Sequence, residues 1–251
     1  MRKRKNSGQL LVLVALLISL ILISSELYVV NVGKSSGTNQ MSSIQDYGLS
    51  IELGSKHVII GSLANITSGG QNENLFLNLQ RWALFVANEQ KFGNHFLTFY
   101  PKTSTLYSEG LWISEGSDGV GISSAIVDFD YRVEQQGINW TRSFTLNVTS
   151  SVQVYCNYRI INGNEKQTNV IIQLSTDGSP AFAKQISIEY DKNGTWLIPD
   201  ETNNYMIQNF GNGTYNSVFS NNLNEANSIH VQITDSNGII VRAFKNAQPT
   251  P

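Results

Sequence analysis

Cysteine is nearly missing: Cys156 stands alone among 251 residues, so no disulfide can form within the chain and its stability has to come from core packing. A lone thiol so far from the N-terminus also excludes a lipoprotein anchor. Cys156 shares the parity of Val152, Val154, Tyr158 and Ile160 in an alternating stretch, which predicts a buried structural thiol; a reactive one needs basic neighbours on its own face. Histidine is almost as scarce. His57, His95 and His230 are widely separated and none has metal-ligand spacing, so each is expected in a solvated or packing role.

Charge is thin as well, at 14% of residues and a net −2. The basic residues Arg2, Lys3, Arg4 and Lys5 hide an asymmetry: taking these four from 17 Lys+Arg leaves 13 against 19 Asp+Glu, or −6 for the remainder. A mildly acidic body is a poor match for nucleic acid. There is no Gly-x-Ser-x-Gly elbow, Walker loop or dinucleotide fingerprint. Gly116-Ser-Asp-Gly119-Val-Gly121 is glycine-rich but lacks the lysine that phosphate binding needs, and reads as a strand connection. Asp177-Gly178, Asp191-Lys-Asn193-Gly194 and Asp235-Ser-Asn237-Gly238 offer oxygens, yet none continues to the bidentate Glu of a calcium loop, and turn formation accounts for them. Asp128 and Asp130 share a strand face with Arg132, which predicts a solvated face and not a hydrolytic pair. Trp112, Trp140 and Trp196 are the candidates for a glycan platform, with core or turn packing as the default. No enzyme, metal or cofactor is expected from these residues.

Set against these absences is one long apolar run. Residues 10–23 are Leu, Ile or Val except Ala15 and Ser19, each of the apolar ones worth roughly −0.3 to −0.6 kcal/mol at the centre of a spanning helix. Extended to Val32 the run is long enough to cross about 30 Å of hydrocarbon, with Glu26 near the outer boundary. Basic residues 2–5 put the N-terminus in the cytoplasm and everything after about residue 33 outside. Three fates compete for this segment. A cleaved secretory signal needs small residues at its exit, and Ile23-Ser24-Ser25 places a bulky Ile there; a retained anchor in membrane lipid is the second.

The third fate comes from a resemblance. Arg4-Lys5-Asn6-Ser7-Gly8-Gln9 followed at once by the apolar helix resembles the class III leader of archaeal type IV pilins and pilin-like proteins. The resemblance implies that a prepilin peptidase cuts between Gly8 and Gln9 while the helix is kept to hold the subunit in the bilayer and pack with other pilin-like stems. It covers about the first 30 residues. Leu11 and Leu13 stand where archaeal pilins often carry Ser and Glu, and Gly33-Lys34-Ser35-Ser36-Gly37 breaks what is usually one long stem.

Beyond the polar linker 33–41, Ile44, Tyr47, Ile51, Val58, Ile59 and Ile66 fall on one helical face ending at Gly69-Gly70, with Ser42 or Ser43 as N-cap, although 49–53 also alternates as a strand would. Residues 73–92 carry Leu75, Phe76, Leu79, Trp82, Ala83 and Val86 at helical spacing, with Leu77 and Leu84 as a second stripe, predicting a helix covered on more than one side. From Phe96 the period becomes two. A hairpin is expected over 127–148, then strands at 152–160, 168–176, 186–190 and 205–210, and a hairpin over 230–244 folded at 235–238. Asn162-Gly163, Asn193-Gly194 and Asn237-Gly238 suit tight turns.

The expected class is therefore α+β: leader 1–8, transmembrane helix 9–32, linker 33–41, helical neck 42–93, antiparallel β-sandwich 94–245 and tail 246–251. Five sequons, at Asn65, Asn139, Asn147, Asn193 and Asn212, all end in Thr and are the candidate glycan acceptors. With 27 Asn in the chain their number is close to chance, but Asn139 and Asn147 fall on the polar parity of their strand, as acceptors must. The function expected is a non-enzymatic, single-pass surface protein, a minor or accessory pilin-like subunit. The alternative is a permanently anchored extracellular module recognising a surface glycan or protein.

Overall fold

A computed structural model describes residues 43–89, 93–135, 138–192, 194–222 and 228–250. The leader, the apolar segment, the linker, Gly8, Gln9 and Asn193 lie outside the described residues. None of the described helices is long and apolar enough to cross a membrane. The chain divides into two compact units, residues 1–50 and 51–251. The described part of the first, 43–50, is helical, and the same helical run continues to 67; this run is α1.

In the second unit Ile51, Ile59, Leu63 and Ile66 are buried along α1, so the helical period prevails over the alternating reading of 49–53. Gly69, at φ 108°, ends the run, and the Gly70 amide donates to the Asn65 carbonyl at 2.9 Å. α2 (Asn74–Asn88) returns antiparallel. Trp82 donates from Nε1 to Ser55 Oγ at 2.9 Å and lies over Gly54, where a Cβ would come within 2.5 Å of the ring. Leu75, Leu79 and Val86 are buried on α2, but Leu77 and Leu84 are 43% and 59% exposed. The expected second covered stripe is therefore corrected: it faces away from the sheet, because one layer beneath α2 leaves its far side open.

The strands are β1 (Asn94–Pro101), β2 (Leu111–Glu115), β3 (Val120–Gln135), β4 (Ile138–Asn162), β5 (Glu165–Thr176), β6 (Ser179–Pro180), β7 (Ala183–Lys192), β8 (Thr195–Leu197), β9 (Met206–Asn209), β10 (Thr214–Asn222), β11 (Ser228–Asp235), β12 (Ile240–Asn246) and β13 (Gln248–Pro249). A nine-stranded sheet runs β1-β3-β4-β5-β10-β9 with β2, β6 and β13 as short additions, and a four-stranded sheet runs β12-β11-β7-β8. All the pairings are antiparallel except β13 with β4. The antiparallel β-sandwich with a helical pair is thus observed.

β3 and β4 organise it. Residues of one parity, Ala125, Val127, Phe129, Tyr131 and Val133, are buried along β3. They meet Phe144, which stacks on Phe129 at 5.0 Å, and Trp140, edge-on to Tyr131 at 5.8 Å. At the other end of β4 the same parity gives Val152, Val154 and Cys156, which with Val170, Ile172 and Phe219 oppose Ile188, Tyr190, Val231 and Val241 of the second sheet. Sequence alternation suggested two strands, 138–148 and 152–160; the structure has one of 25 residues. The parity never breaks across Thr149-Ser150-Ser151, and Ser150 is buried, so the small polar residues extend the strand instead of turning it.

The glycine-rich stretch is a strand connection, as expected. Gly116 and Val120 close the β2–β3 turn, and Gly121 lies against β12, where a Cβ would meet the Arg242 carbonyl oxygen at 2.0 Å.

Candidate functional site

Period-two patterning fixes what the uncovered face of the large sheet presents. Since Trp140, Phe144, Val148, Val152 and Val154 point into the core, Thr141, Ser143, Thr145, Asn147, Thr149, Ser151 and Gln153 must point out. Register then brings hydroxyls and carboxylates together. Ser143 donates to Asp130 and Thr145 to Asp128, each at 2.6 Å. Ser151 and Ser175 share a hydrogen bond of 2.8 Å, as do Ser124 and Thr149 at 2.7 Å. Tyr107 Oη reaches Ser124 at 2.9 Å and its ring meets Trp112 edge-on at 5.8 Å.

Charges on this face are largely answered. Lys102 lies 3.8 Å from Asp128, Arg132 lies 3.2 Å from Glu134, and the Arg132 guanidinium sits 4.8 Å over the Phe96 ring. The Asp128 and Asp130 face is solvated, as its alternation predicts, and each carboxylate accepts a strand hydroxyl.

Two shallow hollows break the same face. One, of about 450 Å³, is lined by Ile122, Ser151, Gln153, Gln173, Ser175 and Asn212. The other, of about 480 Å³, lies among Phe96, Thr98, Asp130, Arg132, Thr141 and Ser143. Hydroxyls, amides and a little apolar floor suit weak recognition of a polar surface. Among the described residues, no group of three or more His, Cys, Asp or Glu could hold a metal ion.

The remaining singled-out residues scatter. His57 is exposed on α1. His95 is buried with its Nδ1 2.6 Å from Tyr131 Oη, and His230 pairs with Glu189 at 3.0 Å beneath Phe244, stacked at 4.4 Å. Trp196, 42% exposed, meets His230 edge-on, and Trp140 is in the core contact already described. Trp112, Trp140 and Trp196 therefore lie on separate features, and Trp140 packs against Tyr131 as its core parity predicts. Cys156 is buried, and burial pushes its thiol from 9.0 up to about 12. The aspartates of the turns have partners within the protein: Gly194 donates to Asp191, and Asn237 and Ile239 both donate to Asp235, within their own turns, while Asp177 accepts from Thr149 of β4 and pairs with Lys56 of α1 at 2.7 Å.

Of the described sequons, Asn139 and Asn147 are exposed on the open face and Asn212 is exposed in the turn before β10. Asn65 differs. Its Oδ1 accepts from Asn74 at 2.7 Å, while Thr67 is buried, its hydroxyl donating to Leu63 and accepting from the Ile240 amide. What sequence reasoning missed is the network of Tyr107, Ser124, Asn147 and Thr149; its only signal was Ser and Thr on the polar parity of facing strands.

No protein-family model matches the chain, nor does any curated protein. Among solved structures it is similar to the first Ig domain of the mouse polymeric immunoglobulin receptor, at 11% identity over 39% of this chain and 96% of that one, with a TM-score of 0.24. It is also similar to the N-terminal Ig1-2 module of a Drosophila receptor protein tyrosine phosphatase, at 14% identity over 39% and 48%, TM-score 0.23. A pair of titin domains in complex with telethonin shares 12% identity over 62% of this chain and 83% of that one, TM-score 0.22. Likeness of this degree carries no inference about activity.

Proposed function

We propose that the chain is a non-enzymatic, membrane-anchored cell-surface protein of archaeal pilin-like type, a minor or accessory subunit whose sandwich is held outside the cell by the helix of residues 9–32. The observation that carries this is the order of the N-terminus: four basic residues, Gly8-Gln9, then a predominantly apolar run that reaches spanning length at Val32. A large polar sheet face, with its carboxylates taken up by hydroxyls and cations, agrees with a surface module and offers no coherent catalytic group. The segment's work is mechanical, holding the subunit in lipid and packing against stems of other subunits after a prepilin peptidase removes residues 1–8. Mass spectrometry of the membrane-bound chain tests it: a mature N-terminus at Gln9 is expected, and an intact Met1 removes the pilin-like element.

The two hollows on the open face favour a second reading, a permanently anchored module recognising a surface glycan or protein. Screening the full chain on a glycan array tests it. A hit weakened at least tenfold by Gln173→Ala in the first hollow or Phe96→Ala in the second supports this reading, and a signal indifferent to both removes the face from consideration.

A further inference from the structure

The helical pair carries an apolar surface that no described element covers. On α2 the buried residues Leu75, Leu79 and Val86 face the sheet, while Leu77, Leu84 and Phe85 are 43%, 59% and 54% exposed. On α1 Leu53 is 58% exposed. The hydrogen bond from Trp82 to Ser55 fixes the level of the two antiparallel helices, so Leu53 stands about opposite Leu84. Phe85 stacks on Trp82 at 5.4 Å, which holds its ring in place at the same level. Arg81, exposed and bonded to Asn78, flanks the patch. An exposed face of leucine and phenylalanine suits burial at the lipid headgroup boundary; Arg81 stands at its border and Glu73 and Glu89 at the two ends of α2.

We infer that this face of the helical pair docks on the outer surface of the bilayer. The inference rests on the anchored reading above, and chain length is what selects lipid as the occupant. From Val32, the end of the apolar run, to the start of the described helix at 43 there are ten intervening residues, a reach of at most about 35 Å. Leu53 lies a further ten residues along α1, about 15 Å. Lipid is thus always within reach of the patch, whereas a second copy has to be met by diffusion. The opposite, open face of the sheet then points away from the membrane, bringing Asn139, Asn147 and both hollows outward.

The test uses the full chain with Cys156→Ala, reconstituted in vesicles of equal parts phosphatidylcholine and phosphatidylglycerol, carrying one spin label at Leu53→Cys, Leu84→Cys, Ser143→Cys or Gln173→Cys. Accessibility to oxygen and to a water-soluble nickel chelate is read at each site, and carbonate extraction reads anchoring separately. Labels at 53 and 84 are expected to show an oxygen-to-nickel ratio several-fold above those at 143 and 173. Adding Phe85→Glu, a surface change checked by an unaltered thermal transition, is expected to lower the ratio at 84 while the chain stays resistant to carbonate. If all four labels are equally open to nickel in a carbonate-resistant chain, the docking is wrong and the anchor stands. Shielding of 53 and 84 from both reagents, with spin coupling that grows with chain density, makes a second copy the occupant and overturns lipid. Release of the chain by carbonate removes the anchored reading, and the docking inference with it.

Discussion

At the scale of single residues, burial decides chemistry. Cys156 lies between the sheets with its thiol pushed to about 12, so the folded chain keeps its proton where the unfolded chain releases it. The raised value stabilises nothing extra below pH 8 or so; stability is fully present there and is lost as pH climbs from about 9 toward 12, by up to about 1.4 kcal/mol per pH unit. Urea denaturation at pH 8 and pH 10 should show that loss, and Cys156→Ala should remove this component of it. At pH 8 iodoacetamide should label the native chain far more slowly than the unfolded one. Phe129, 1% exposed and stacked on Phe144, is the corresponding packing test: Phe129→Ala should cost about 3–5 kcal/mol by the same denaturation. Sequons divide on similar grounds. On the folded chain, glycopeptide mapping should find Asn147 and Asn212 occupied ahead of Asn65, whose sequon lies in a helix and whose Thr67 is buried, whereas Thr149 and Thr214 are half-buried.

At the scale of elements, the two helices and the β11–β12 hairpin were legible because each repeats one period, and α1 and the hairpin also have a marked turn, at Gly69-Gly70 and at 235–238. Asp235 accepts the Asn237 and Ile239 amides at the expected fold of that hairpin. The cut wrongly expected in β4 shows the limit: Thr149-Ser150-Ser151 resembles a turn in composition, while the parity on both sides already said strand. β10 escaped notice for a different reason, since Ser217 and Asn221 occupy buried positions where an apolar residue would have drawn the pattern. Thr168 satisfies Asn221 at 3.0 Å, and that partner is 53 residues away, beyond any local signal. Contacts of this kind also tie elements together. Thr67, at the end of α1, accepts the Ile240 amide of β12. Thr67→Val should therefore destabilise the fold by about 1–3 kcal/mol, the cost of an unmet buried amide, as read by thermal or urea unfolding. Gly121→Ala forces a methyl onto the Arg242 carbonyl and should cost at least as much.

For the whole molecule, the open face was legible from Asp128, Asp130 and Arg132, but its hollows were not, because they arise where strands distant in sequence come side by side. The exposed stripe on α2 was misread as covered for the reciprocal reason: Leu77 and Leu84 look like a second buried face until the number of layers is known. Both features bear on the proposed orientation, polar sheet outward and apolar helices toward lipid, and that proposal depends on the segment of residues 9–32 remaining in the chain. The decisive measurement is the mass of the mature N-terminal peptide from both the carbonate-resistant membrane fraction and the medium of cells expressing the full chain. The account predicts a peptide beginning at Gln9. A peptide beginning at Met1 contradicts the pilin-like stem, and one beginning after Ser25, from chain free in the medium, contradicts the anchor itself.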